Sequence, residues 1–261
     1  MLNTTIHGSG QPLIWGHGLM GSLALETFAG WFHPADSTAV RRIRYDARGH
    51  GLSPAGEGAS DHRWAQLGQD MLQIAECHVA GGPFALGGQS MGCASALFAA
   101  LSAPQRVSHL VLALPPTAWA SRPAQAERYA KMIALIQSRG VNGLVSLARQ
   151  FPSAPAWLHA ERPEYHDESL RVMSRFDGQS LIRILTGAMH SDLPPRAALA
   201  ELSMPALILA WEEDDIHPLE TARLLAETLP NARLEVINQG SQLARWPTQI
   251  DQFLTAPARI G

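Results

Sequence analysis

The sequence is poor in charge, in cysteine and in long apolar runs, and each shortage excludes a class of protein. Charged residues make up 16% of the 261 residues, against about 25% in a typical soluble domain. The net charge is −3 and no stretch is enriched in lysine and arginine, so binding to nucleic acid is not expected. No run approaches the ~18 apolar residues that a membrane-spanning helix needs.

Metal centres and cofactors are not indicated either. Cys77 and Cys93 match no metal-binding spacing, and we expect two reduced thiols. His159, His166 and His190 are too dispersed for a metal site, and no glycine-rich phosphate loop is present. The first residues show no signal peptide. These absences predict a soluble, cytoplasmic protein without cofactor or metal; they indicate nothing about its oligomeric state.

Short apolar segments alternate with helical periodicity through most of the chain. Strands are predicted at residues 12–16, 38–45, 83–87, 107–114, 205–211 and 233–238. Strands separated by helices predict an α/β fold, a mostly parallel central sheet flanked by helices. The region from 117 to 204 is instead helical, with segments at 124–139, 141–150 and 167–176. We therefore expect a core of residues 1–116 and 205–261 and an inserted helical cap at 117–204.

The motif Gly88-Gln89-Ser90-Met91-Gly92 follows a predicted strand and opens a helix of small residues. A G-x-S-x-G turn in this context holds its serine at a strained backbone angle, with the hydroxyl exposed at the carboxyl end of the sheet. A serine that merely caps a helix would explain Ser90 but not both glycines. Ser90 is therefore the candidate nucleophile.

A second glycine-punctuated turn, His17-Gly18-Leu19-Met20-Gly21, follows the first long strand. A loop in this position can donate a backbone N–H to an oxyanion that develops during attack on an acyl group. The candidate donors are the N–H of Leu19 and the N–H of Met91, directly after the serine. For the His17 side chain we expect a structural hydrogen bond.

Together these segments resemble the α/β-hydrolase superfamily over nearly the whole chain. The matching pieces are the turn at 17–22, the loop at 46–53, the serine motif at 88–92 and the segment at 211–218. The resemblance implies that Ser90 is the nucleophile, that Asp214 is the triad acid with Asp215 as runner-up, and that a helical cap lines the pocket. Trp211 stands where this family commonly has glycine.

The resemblance fails at the histidine of the triad. In the family this residue follows the last strand, where the chain reads Gly240-Ser241-Gln242, and no histidine occurs after His217. A serine hydroxyl is a weak nucleophile unless a neighbouring base takes its proton. The amide of Gln242 cannot be that base, because its nitrogen is not basic.

Three alternatives stay open, ordered as follows. Gln242 replaces a triad histidine, which would leave only slow turnover of reactive esters. Another histidine serves as the base, among His217, His190, His50 and His17, although a packing role is expected for His217. The chain does not hydrolyse, and its pocket binds a small molecule or promotes another reaction.

We thus expect a serine hydrolase with an incomplete triad that acts on a small, mainly apolar ester, lactone or related acyl compound. The alternative is a non-hydrolytic protein of the α/β-hydrolase fold. The sequence does not identify the substrate, because the shape of the pocket depends on how the cap helices dock.

Overall fold

Alternating apolar segments build a central sheet. A computed structural model describes residues 1–32, 38–152 and 154–256. Within them the strands are β1 (Thr4–His7), β2 (Gln11–Gly16), β3 (Val40–Tyr45), β4 (Phe84–Gln89), β5 (Val107–Ala113), β6 (Ala206–Trp211) and β7 (Ala232–Ile237). Their order in the sheet is β1-β3-β2-β4-β5-β6-β7. β1 is antiparallel to β3, and the other neighbours are parallel. The predicted α/β fold with a mostly parallel sheet is confirmed.

Helices connect the strands. They are α1 (Leu23–Ala29), α2 (Trp64–His78), α3 (Met91–Ser102), α4 (Arg122–Gln150), α5 (Ala156–Glu161), α6 (Pro163–Met173), α7 (Gly178–Met189), α8 (Arg196–Leu199), α9 (Leu219–Thr228), α10 (Gly240–Leu243) and α11 (Trp246–Thr255). Two short 3-10 turns lie at Ala59–His62 and Trp119–Ser121. Among the described helices, none has both the length and the apolar character that crossing a membrane requires.

The sheet buries both of its faces because side chains alternate along each strand. Leu13 and Trp15 of β2 pack with α11 in one cluster, whereas Ile14 packs with α2, α3 and α9 in the other. In β6, Leu207 faces the first cluster and Ile208 the second. All five side chains are almost completely buried. The carboxyl ends of these strands therefore emerge from a rigid core, and their loops meet at one edge.

The chain between β5 and β6 is helical, from α4 to α8, as the sequence predicts for residues 117–204. Gly140 interrupts α4 with φ 66° and ψ −179°, a conformation that glycine adopts readily. α4 packs on α7 through Tyr129, Ile136 and Leu185, among others. The division into core and cap at residues 117 and 204 stays a prediction, since helical content alone does not mark a domain boundary.

Arg122 ties the beginning of α4 to the core. Its buried guanidinium donates to the carbonyl oxygens of Ala188 and Ser191 and to Thr117 Oγ1, the last two at 2.6 and 3.3 Å. It also lies 4.1 Å above the ring of Trp64 in α2, a cation–π contact. Burial lowers the pKa of Arg122. These contacts hold the helical region against α2 and the loop after β5.

Candidate active site

Ser90 lies at the junction of β4 and α3, with φ 52° and ψ −107°. A non-glycine residue rarely adopts a positive φ, and such strain is typical of functional positions. The flanking glycines permit the turn. A Cβ on Gly92 would overlap the carbonyl oxygen of Gly16, and a Cβ on Gly88 would overlap the backbone of Gly92. The backbone thus passes close to β2 while the serine side chain points out of the turn.

Among the described residues, the histidine that contacts Ser90 is His217. Its Nε2 lies 2.9 Å from Ser90 Oγ, and its Nδ1 lies 2.7 Å from Asp214 Oδ2. Both His217 and Asp214 belong to the loop between β6 and α9. A packing role was expected for His217, whereas both of its ring nitrogens lie within hydrogen-bonding distance of polar side chains. The structure brings Ser90, His217 and Asp214 together in one line.

The Asp214 carboxylate is almost fully buried, with its side chain 2% exposed. Oδ1 accepts the backbone N–H groups of Ile216 and His217 at 2.8 and 3.0 Å, and Oδ2 accepts the indole N–H of Trp211 at 2.6 Å. Burial opposes ionisation, but the charge and hydrogen bonds of His217, with the Trp211 bond, lower the pKa of Asp214 to about 2. Asp215, the runner-up for the acid, is exposed instead and lies 3.9 Å from Arg128.

Gln242 lies in α10, at the place where the family resemblance puts a histidine. Its Oε1 accepts the backbone N–H of Asn238 at 3.0 Å, a bond within its own turn. In the part of the chain that the structure describes, Gln242 hydrogen-bonds to neither Ser90 nor Asp214. It therefore contributes no contact to the line of side chains that ends at Ser90.

The remaining candidate bases have other partners. His17 Nε2 accepts the N–H of Ala47 at 2.9 Å, and His50 Nε2 accepts the N–H of Met20 at 3.2 Å. Burial lowers the pKa of His50 well below its ordinary value, which keeps this ring neutral. His190 is exposed, with Nδ1 2.9 Å from the carbonyl oxygen of Thr186. His17 thus has the structural role that the sequence suggests.

The turn after β2 lies beside Ser90. A Cβ on Gly18 would come within 3.6 Å of Ser90 Cβ, and the turn closes by a bond from Gly21 N–H to Gly18 O at 2.9 Å. Among the described residues, the N–H of Leu19 has no acceptor. The N–H of Met91 is the first of α3, where helices leave donors unsatisfied. Both predicted donors therefore remain available next to the serine.

A cavity of about 500 Å³ opens above Ser90 and His217. Its walls are mostly apolar side chains of the helical region, including Met132, Leu144, Leu147, Phe151, Leu170 and Met173. One carboxylate, Glu26, also lines it, but this group is buried and paired with Trp15 Nε1 and Arg44. No lysine or arginine lines the cavity within the described chain. Nor do the described residues include a group of three or more histidines, cysteines and acids that could hold a metal ion.

From the sequence, His217 was a candidate base only in the second of three alternatives, and Trp211 had no expected role. The available signal was the spacing Asp214-x-x-His217, which puts an acid and an imidazole within one turn of chain. That spacing alone does not show where the imidazole points. The structure shows that the loop between β6 and α9 directs the imidazole toward Ser90.

Comparison with known proteins gives a consistent assignment. A family model described as alpha/beta hydrolase fold matches residues 11–246. A protein from Variovorax paradoxus (strain S110) named "Putative carbamate hydrolase RutD" is 28% identical over 253 residues, which are 92% of this chain and 88% of that protein. The structure of a thermophilic esterase from Thermogutta terrifontis superposes with a TM-score of 0.78 at 20% identity, covering 96% of this chain and 90% of the esterase. The enol-lactonase from Burkholderia xenovorans LB400 gives 0.75 at 21%, covering 97% and 96%.

Proposed function

Because the chain belongs to the α/β-hydrolase family, we propose that it is a serine hydrolase whose triad is Ser90, His217 and Asp214. The observation that carries the proposal is the hydrogen-bonded line from Ser90 Oγ through both nitrogens of His217 to Asp214 Oδ2, at 2.9 and 2.7 Å. A nucleophile, a base and an orienting acid in this arrangement perform acyl transfer whatever their order in the chain. On this proposal Gln242 is not a missing part, and the triad is complete.

Each group then has a defined step. His217 Nε2 takes the Ser90 proton as Oγ attacks the acyl carbon, and Asp214 Oδ2 holds the proton on Nδ1 and stabilises the imidazolium. The N–H groups of Leu19 and Met91 donate to the oxyanion of the tetrahedral intermediate. His217 passes its proton to the leaving group, which departs. A water, deprotonated by His217, then attacks the acyl carbon; the acid product leaves as His217 returns the proton to Ser90 Oγ, which restores the free enzyme.

The cavity supports a neutral, mainly apolar acyl substrate. Its volume of about 500 Å³ is within the range of small-molecule sites. Apolar side chains of the helical region dominate its walls, and no cationic side chain in the described lining would pair with a substrate carboxylate. Carboxylic esters and lactones fit this description. A carbamate, the substrate class in the name of the Variovorax paradoxus relative, is attacked at its carbonyl by the same chemistry.

The test combines labelling and turnover. The purified protein and Ser90→Ala are treated with a fluorophosphonate probe, and both are assayed with p-nitrophenyl acetate and p-nitrophenyl hexanoate. We expect stoichiometric labelling and turnover of the native protein only, with the hexanoate preferred over a succinate half-ester of similar length. An unlabelled, inactive native protein would contradict the proposal and favour the non-hydrolytic alternative. Preference for the charged half-ester would contradict only the substrate class.

A further inference from the structure

Trp211 makes a contact with Asp214 that the three triad residues alone do not require. The indole N–H donates to Oδ2 at 2.6 Å, and the same oxygen lies 2.7 Å from His217 Nδ1. Since Oδ1 accepts two backbone N–H groups, each carboxylate oxygen carries two hydrogen bonds. A carboxylate has about four such sites, so the Asp214 side chain is fully satisfied and fixed in orientation.

The indole itself is held in place by aromatic packing. Trp211 stacks on Trp246 with ring centroids 6.0 Å apart and an interplanar angle of 17°. Trp157 meets its ring edge-on at 5.8 Å and 83°, and Trp31 packs on Trp246 at 5.4 Å. Aromatic contacts of this kind add to the burial energy and favour one geometry. The N–H of Trp211 therefore has one direction, toward Asp214.

The same ring also faces the turn after β7. Trp211, Leu243 of α10 and Trp246 line one small cavity of about 20 Å³. Within the described chain, it is the indole of Trp211 and not a side chain of α10 that contacts Asp214. Asp214 therefore contacts Trp211 on one side and His217, which belongs to the same loop, on the other.

We propose that Trp211 is a positioning residue for the hydrolase: its N–H occupies one acceptor site of Asp214 Oδ2, which leaves the other to His217 alone. The inference rests on the proposed function, since it concerns how the same acid directs the same base. An indole bond to the shared oxygen also withdraws electron density from it. The carboxylate then stabilises the protonated imidazole less than it would without the indole.

The other charged groups of this loop do not compete for that effect. Glu212 and Glu213 are exposed, and Asp215 lies 3.9 Å from Arg128 of α4. Among the described residues, His217 is the titratable group in contact with the Asp214 carboxylate. A change in pH dependence on loss of the indole N–H is therefore attributable to the Asp214–His217 pair.

Trp211→Phe keeps an aromatic ring and removes the N–H, and Trp64→Phe is its matched control. Trp64 of α2 is also buried, lies outside the aromatic cluster around Trp211, and its Nε1 has no hydrogen-bond partner in the described part of the chain. We expect Trp211→Phe to lower kcat on a p-nitrophenyl ester about tenfold, with KM little changed, because loss of the fixed carboxylate orientation misplaces the imidazole, and small misplacements of a catalytic group cost up to about a hundredfold. This loss outweighs the stronger stabilisation of the protonated imidazole. In a plot of kcat against pH, the ascending limb of this variant should move to higher pH. Without the indole N–H, the Asp214 carboxylate interacts more strongly with the protonated form of His217. Trp64→Phe should leave the limb in place.

Two results distinguish failure of this inference from failure of the proposed function. If the native protein reacts with the fluorophosphonate probe but both variants share the native pH limb and kcat, the positioning role is wrong and the hydrolase stands. If the native protein does not react, both proposals fall. Should Trp211→Phe not fold, benzothienylalanine at position 211 retains the two fused rings and replaces N–H by sulphur. The same shift of the limb is expected there, and an unmoved limb overturns the inference.

Discussion

Replacing His217 by alanine tests whether this histidine is the base, one of the alternatives that the sequence leaves open beside the replacement of a triad histidine by Gln242. If His217 is the base, His217→Ala should lower kcat for ester hydrolysis by about 10⁴- to 10⁶-fold, as removal of a triad member does in known serine hydrolases. The residual rate would come from the oxyanion donors and from substrate binding, which do not depend on this side chain. Labelling of Ser90 by a fluorophosphonate should slow in parallel, since the serine loses its base.

The same substitution should have little effect on stability. The His217 side chain is 15% exposed, and Asp214 retains the indole N–H and two backbone N–H donors after its removal. Loss of the hydrogen bond between His217 Nδ1 and Asp214 Oδ2 should lower the free energy of unfolding by about 1–2 kcal/mol. A urea titration followed by tryptophan fluorescence measures this. A large loss of activity together with a small loss of stability identifies a chemical rather than a structural role.

Gln242 provides the matched comparison. Gln242→Ala and Gln242→His should leave kcat at the native order of magnitude, because the side chain bonds only to Asn238 of its own turn among the described residues. His190→Ala, at an exposed histidine of the helical region, should also retain activity. The reasoning is refuted if His217→Ala keeps more than about a tenth of the native kcat, far above the loss expected of a base. It is refuted equally if Gln242→His raises kcat by orders of magnitude.

Three further predictions concern the framework. Gly92→Ala should lower the free energy of unfolding by about 3 kcal/mol or more, because its Cβ would overlap the Gly16 carbonyl oxygen; a urea titration checks this. Arg122→Met should cost about 3 kcal/mol by leaving buried carbonyl oxygens of the helical region unsatisfied, measured in the same way. The pKa of Asp214 falls from 3.8 to about 2 on folding. Its ionised form therefore stabilises the fold above about pH 4, and this stabilisation is lost as the pH falls toward 2. Asp214→Asn should flatten the dependence of unfolding free energy on pH across that window.

The fold could be predicted because its sequence signals are local. Apolar segments of five to eight residues between glycines and prolines mark the buried parallel strands, and the predicted helices at 124–139 and 141–150 meet at Gly140, where α4 is interrupted. β1 was not predicted. It is a short edge strand, Thr4–His7, with two residues half-buried and two exposed, so it lacks the apolar pattern by which a strand is identified.

The residues of the candidate site also differ in whether their sequence signals are local. Ser90, Leu19 and Met91 belong to glycine-containing turns whose spacing is set by backbone geometry, and the sequence therefore indicates them directly. The position of a base depends on where a loop returns in space. For His217, that depends on bonds to the Asp214 carboxylate and to the neighbouring loop, which periodicity and motifs do not encode. Family spacing pointed to position 242, and the chain has glutamine there.

On the proposed triad, one loop carries both the acid and the base, because hydrogen bonds to Asp214 shape the loop that carries His217. Asp214 Oδ1 accepts the N–H groups of residues 216 and 217, which closes a tight turn and brings the His217 ring over Oδ2. The bond from Thr117 N–H to Ile216 O at 3.1 Å ties this turn to the loop after β5, the strand between β4 and β6. The imidazole thereby reaches across β5 to Ser90 at the end of β4. On the proposed triad, the turn after β7 takes no part in the reaction, and residue 242 does not need to be a base.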